Sequence, residues 1–179
     1  MTTADDITTA NQRYAEEFAK TGKGSLPMPP GRKLAVITCM DARLDPEQFL
    51  GLREGDAHVI RNAGGRASDD ALRSLVISQE LLGTDEVLVI HHTDCGMLTF
   101  TNEQLRNRLR QDYGKDPGNV DYLPFSDLEQ SVRDDVETIK SYPFARRDTK
   151  VSGYVFDVRT GRLREVTSEA GTGQAQKAA

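Results

Sequence analysis

The sequence predicts an α/β fold: a mostly parallel central sheet of order about 2-1-3-4 plus an antiparallel edge strand, flanked by helices and preceded by an N-terminal helical arm. Three observations predict it. Short apolar runs of strand length alternate with helical periodicity, the pattern of parallel strands joined by right-handed crossovers. Two late runs separated by Thr160-Gly161 read as a hairpin that adds the antiparallel edge. Breakers crowd residues 21–31 (Gly22, Gly24, Pro27, Pro29, Pro30, Gly31), so the first helix stands apart from the rest of the chain.

In order along the chain, Ile7, Ala10, Tyr14 and Phe18 recur at helical spacing between Asp5-Asp6 and Gly22, an amphipathic helix. Lys33 to Thr38 reads as a buried strand, with Cys39 directly after it. Asp45-Pro46-Glu47-Gln48 supplies an N-cap, a proline at the first helical position and a glutamine to close a capping box, so a short helix runs through Leu50. Ala57 to Ile60 is a second strand, ending in Arg61-Asn62-Ala63-Gly64-Gly65. Ser68-Asp69-Asp70 opens a helix whose apolar set is Leu72, Leu75, Val76, Ile77, Leu81 and Leu82 and which stops at Gly83. Glu86 to Ile90 is the third strand, with His91 to Cys95 at its end. Capping boxes at Thr101-to-Gln104 and Ser126-to-Glu129 open two more helices, the first stopping near Gly114 and the second before Pro143. Lys150 to Val158 and Leu163 to Thr167 are the hairpin strands.

Residues 1–24 form the helical arm and the start of its linker, 25–167 one α/β domain, and 168–179 a tail with no apolar residue larger than alanine, expected to be disordered. Hydrophobic residues at 37% and charged residues at 28% are ordinary for a globular chain able to bury its own core. The net charge of −5 gives no electrostatic support to a nucleic-acid or anionic-membrane partner. No apolar run has the length of a membrane span, and the N-terminus lacks the basic start and apolar stretch of a secretory signal; the expected location is cytoplasmic.

The chain's two cysteines carry the chemistry. Cys39 begins Cys39-Met40-Asp41-Ala42-Arg43, and Cys95 closes His92-Thr93-Asp94-Cys95. By residue type alone, two cysteines read as small buried hydrophobes. Their positions argue against that. In parallel sheets ligands bind beyond the carboxyl ends of the strands, where the strand order reverses, and in the order 2-1-3-4 the ends of strands one and three are neighbours there. Two thiolates and an imidazole form a set that Zn²⁺ prefers, and three protein ligands leave a position open, as catalytic rather than structural zinc requires. Cys39, His92 and Cys95 are therefore the candidate metal ligands, for one Zn²⁺ per chain. His58, on a strand, reads as structural, and His91 as a pocket or packing residue beside the site rather than a ligand. Asp41 can accept a hydrogen bond from a metal-bound water, and Arg43 can pair with Asp41 and keep it ionised; the plain alternative for the two is a surface ion pair of little worth. The Ala63-Gly64-Gly65 loop admits a close backbone approach to a substrate or a mere tight turn, and it matches no nucleotide-binding motif.

Cys39-Met40-Asp41-Ala42-Arg43, Arg61-Asn62-Ala63-Gly64 and His92-Thr93-Asp94-Cys95-Gly96 together resemble, in order and approximate spacing, the signature of the β-class carbonic anhydrases. The resemblance is to the short bacterial single-domain members and departs from their commoner pattern where His91 replaces a glycine. It implies zinc-dependent hydration of CO₂ to bicarbonate by attack of a zinc-bound hydroxide, with Asp41 and Arg43 as the catalytic pair. It also implies a homodimer, or a higher homo-oligomer built from dimers, with exchanged N-terminal arms and active sites at the subunit interface. In some members the aspartate swings onto the metal to give a closed, inactive form. The same ligands serve hydrolases of carbonyl sulfide or carbon disulfide, which is the first alternative. A non-catalytic zinc protein or a Cys39–Cys95 redox sensor is a more distant one, since neither needs a positioned base.

Overall fold

The computed structural model describes residues 2–167, and the tail expected at 168–179 lies outside them. Five strands, β1 (Leu34–Cys39), β2 (Ala57–Asn62), β3 (Glu86–His92), β4 (Lys150–Phe156) and β5 (Leu163–Glu165), form one sheet of order β2-β1-β3-β4-β5. The first four are parallel and β5 runs antiparallel to β4. Every residue of β1 is buried, as expected for a central strand covered on both faces. Ala35 and Ile37 of β1 join Val87 and Val89 of β3 in one core layer, while Leu34 and Val36 join Ile90 in the other. This alternation is the two-residue period of the strand.

The helices follow from the chirality of the crossovers. The chain steps from β1 to β2 in one direction and from β2 to β3 in the other, so right-handed connections put the intervening helices on opposite faces. The short α2 (Pro46–Phe49) accordingly sends Phe49 to the Leu34/Val36 layer. Helix α3 (Asp69–Glu80) packs Ala71, Leu72 and Leu75 on the Ala35/Ile37 layer. From β3 to β4 the direction is unchanged, and α5 (Leu128–Ser141) lies on the α3 face through Val132, Val136 and Ile139. Between them α4 (Asn102–Tyr113) buries no residue. Helix α1 (Thr3–Phe18) also buries none; Ile7 is 63% exposed and Tyr14 51%.

Local chemistry moves several boundaries from their expected places. The first helix starts two residues before Asp5, because Thr2 caps it and Asp5 completes a capping box. Helix α5 is capped by Asp127, whose carboxylate accepts the Gln130 N–H at 2.9 Å, and not by a Ser126-to-Glu129 box. Both residues are good caps, and the first turn selects the aspartate. Helix α3 ends at Glu80, three residues before Gly83. Its expected apolar set is only partly inward: Ile77 is 40% and Leu81 75% exposed, while polar Gln79 is buried, bonded to Thr149 Oγ1 at 2.7 Å and accepting the Arg146 N–H at 3.3 Å. Strands β2 and β3 each run two residues further than predicted, and β4 and β5 each stop two residues sooner. The Thr101-to-Gln104 capping box is as expected, with both reciprocal bonds formed.

Candidate metal centre

The site grows out of the ends of β1 and β3. Cys39 is the last residue of β1 and His92 the last of β3, on hydrogen-bonded neighbouring strands. A turn through Asp94, in the left-handed region at φ +57°, then returns Cys95 toward His92. The ligand atoms of Cys39, His92 and Cys95 all lie within 4.8 Å of one another, and all three residues are buried. Neither cysteine is in a disulfide.

The donor set fits a zinc ion. The Nδ1 of His92 lies 2.9 Å from the Thr93 carbonyl. A carbonyl only accepts, so Nδ1 carries the proton and Nε2 the lone pair. That Nε2 is the single buried side-chain nitrogen or oxygen without a hydrogen-bond partner among the described residues. Burying an unpaired polar atom is costly, and a metal beside two sulfurs removes the cost. The neighbouring Cys95 thiol, the largest influence, with His92 close by, outweighs burial and lowers the Cys39 thiol to about 4. Cys95 is pushed up, first by its bond to Cys39 and then by burial. Burial pushes the His92 imidazole down, but the Cys39 thiolate, the Thr93 carbonyl and Asp41 reverse this to a net upward shift.

Asp41 and Arg43 meet as a bidentate pair. Arg43 Nε donates to Asp41 Oδ1 at 2.9 Å and Nη2 to Oδ2 at 2.8 Å, and the Arg43 backbone N–H adds a bond to Oδ1 at 2.9 Å. Arg43 holds the Asp41 carboxyl well below the usual carboxylate range. The free side of Oδ2 lies 3.8 Å from the unpaired His92 Nε2. Arg43 also reaches across to the other strand end, donating from Nη1 to Asp94 Oδ2 at 2.8 Å and from Nη2 to the Asp94 carbonyl at 3.0 Å. One guanidinium therefore ties the Cys39 segment to the Cys95 segment.

Further residues shape the site without having been expected to. Arg61 donates to the carbonyls of Cys39 (3.0 Å) and Asp41 (2.7 Å), fixing the path of the chain after β1. The Ala63–Gly65 turn, read from sequence as a substrate approach or a plain turn, is a close approach to the protein's own backbone. A Cβ on Gly65, which has φ +71°, would stand 2.8 Å from the Cys39 nitrogen and 2.9 Å from the Thr38 carbonyl carbon. His91 points away from the three ligand atoms into a buried network: Nδ1 meets Ser131 Oγ at 2.8 Å, and Nε2 meets Asp135 Oδ2 at 3.1 Å and the Gly65 carbonyl at 3.2 Å. Arg66 forks onto the same Asp135 at 2.8 and 3.1 Å. His58 bonds Ser78 Oγ at 2.7 Å, away from the site. Asp94 lies inside a motif already singled out, so its reach to Arg43 had a local signal. Ser131 and Asp135 had none, lying 40 and 44 residues from His91.

The sheet topology and a sulfur–imidazole cluster at its switch point define a class, parallel α/β proteins with a three-ligand, catalytic-type zinc site. Comparison with known proteins narrows it. A carbonic anhydrase family model matches residues 34–120. A β-carbonic anhydrase of Mycobacterium tuberculosis is 47% identical over 169 residues, covering 93% of this chain and 99% of its own. The crystal structure of a carbonic anhydrase from Streptococcus mutans aligns with a TM-score of 0.87 and 48% identity, over 93% of this chain and 99% of the other. A carbon disulfide hydrolase of an Acidianus species is 36% identical over 162 residues, 77% of this chain and 79% of its own. The chain belongs to the β-carbonic anhydrase family.

Proposed function

We propose that this chain catalyses the zinc-dependent hydration of CO₂ to bicarbonate, with one Zn²⁺ per chain held by Cys39, His92 and Cys95. The observation that carries the reading is the convergence of two buried sulfurs and the partnerless His92 Nε2 beside an Arg43-locked carboxylate. Zinc held by Cys39, His92 and Cys95 would supply Lewis acidity toward a water molecule, the chemistry from which a hydroxide nucleophile arises.

The chain's own residues do the rest. Two thiolates neutralise the formal charge of the ion, so the nucleophile needs help from its surroundings. Asp41, kept anionic by Arg43, can only accept hydrogen bonds. Its Oδ2 takes the O–H of the nucleophile and turns a lone pair toward the carbon of CO₂. Arg43, doubly bonded to Asp41 and tied to Asp94, positions that carboxylate and keeps it from turning toward the ligands. This is the open arrangement, with Asp41 on Arg43.

Residues 1–24 act as an arm, and 25–167 as the catalytic unit. A second copy of the chain is the partner that best accounts for an amphipathic α1 with no buried residue, giving a homodimer or a larger assembly of dimers. No helix among the described residues is long and apolar enough to cross a membrane, and the cytoplasm is the proposed location.

A second reading is favoured by the identity to a carbon disulfide hydrolase: the same ligands and base directed at carbon disulfide or carbonyl sulfide. Stopped-flow CO₂ hydration and H₂S release from both sulfur substrates, run on one zinc-loaded preparation, decide between them. The proposal expects fast CO₂ hydration and little sulfide. Fast sulfide release with negligible hydration would transfer the assignment to the second reading.

A further inference from the structure

We infer that His91 is a positioning residue for the Cys39 side of the metal centre, acting through the Ala63–Gly65 turn; the inference rests on the proposed ligation by Cys39. Although adjacent to His92, the His91 ring faces the opposite way and is completely buried. Both of its nitrogens are engaged. Nε2 sits between two oxygens that only accept, Asp135 Oδ2 and the Gly65 carbonyl, so it carries a proton and donates to them. Asp135 is in turn gripped by both arms of the Arg66 guanidinium and is 3% exposed. The ring stacks on Phe125, with centroids 5.4 Å apart and planes 19° from parallel. Arg66 lies over the other part of that aromatic contact, 5.5 Å from the Phe125 centroid. The imidazole is thus hydrogen-bonded through both nitrogens and stacked on an aromatic ring.

What this rigid ring holds is the turn against Cys39. Gly65 touches the Thr38–Cys39 peptide so closely that no side chain fits between them. Asn62 clasps the base of the turn by exchanging bonds with the backbone of Arg66, at 2.7 and 2.8 Å. The path is thus continuous: α5 fixes Asp135, Asp135 and Arg66 fix His91, His91 fixes the Gly65 carbonyl, and the turn packs directly on the Thr38–Cys39 backbone that carries the ligand sulfur. Outer groups that orient a metal ligand and hydrogen-bond it typically govern metal affinity by about 10- to 100-fold. His91 has that role here.

The test uses the full-length chain. His91→Leu keeps the bulk and removes both ring nitrogens, His91→Gln restores a donor toward Gly65, and Gln79→Leu removes a buried polar group at the opposite end of the sheet. Zinc Kd is measured by chelator competition, and ligand geometry from the visible d–d bands of the Co²⁺-substituted protein. His91→Leu is expected to weaken zinc by about 10- to 100-fold and to move the cobalt bands, with His91→Gln recovering much of both. Gln79→Leu should lower Tm and leave Kd and bands unchanged, separating positioning from general loss of stability. Asp135→Asn preserves volume, breaks the pairing with Arg66 and His91, and carries the test should His91→Leu not fold. A folded His91→Leu or Asp135→Asn with wild-type Kd and bands overturns the inference and leaves Cys39 ligation standing. A wild-type protein that binds neither zinc nor cobalt overturns both.

Discussion

Single residues decide the chemistry of this protein, and their roles are separable by mutation. Cys39→Ser exchanges a soft sulfur donor for a hydroxyl, a poor zinc ligand. Purified Cys39→Ser is expected to fall from about one zinc per chain to almost none by elemental analysis, while wild-type stoichiometry in the mutant would contradict ligation. Asp41→Asn should keep the metal, since the side chain is bound to Arg43 and not required by the ion. Its expected cost is about 10²- to 10⁴-fold in kcat/KM for CO₂ hydration, the range of a lost positioned base. Arg43→Ala should cost much of the same amount, and the double mutant little more, because the two act as one unit. Additive losses would show that Arg43 serves something other than Asp41. At this scale the grouping of the candidate residues was largely legible in the sequence. The ligands and the Asp41/Arg43 pair sit within two short segments, so spacing alone brings them near the strand ends. The His91–Asp135–Arg66 network was illegible, because its members come together only when α5 folds over the sheet.

Elements carry the site by where they end. The parallel register of β1 against both β2 and β3 puts Cys39 beside Asn62 and directs the turn after β2 back over the end of β1. Two glycines test this arrangement from different places. Gly153 in β4 lets α5 approach, since a Cβ there would meet Val132 Cγ1 at 2.5 Å. Gly153→Ala is expected to cost about 1–3 kcal/mol of stability by overpacking, read by urea unfolding, with zinc occupancy intact. Gly65→Ala strikes the turn itself, at positive φ and against the Cys39 backbone. It should cost a similar amount and also lower zinc occupancy; full occupancy in a folded Gly65→Ala would show that the turn does not support the ligand. The sequence announced every strand and α-helix of the described residues, because apolar period and capping residues are local. It misplaced their ends by one to three residues, as at Ser126 and Asp127 where caps compete, and it could not tell that Gln79 rather than Leu81 faces inward. That choice is made by Thr149 and Arg146, which arrive from a distant segment.

For the molecule as a whole, the reversal of strand order between β1 and β3 explains why the metal centre lies where it does. That topology could be anticipated, because right-handed crossovers and a shared ligand site admit few alternatives. What one sequence does not reveal is what meets the exposed faces of α1 and α4, since a surface becomes an interface only with its partner. Removing residues 1–24 is expected to halve the mass measured by light scattering and to reduce CO₂ hydration, and a fully active monomer would contradict the proposed arm exchange. The proposed chemistry stands or falls with the metal centre, and zinc K-edge absorption of the purified protein in solution gives its plainest test. The expected shell has two sulfur neighbours at about 2.3 Å and lighter N/O neighbours at about 2.0–2.2 Å, one of them from His92. A zinc shell without sulfur, or one built of four sulfurs, would contradict it.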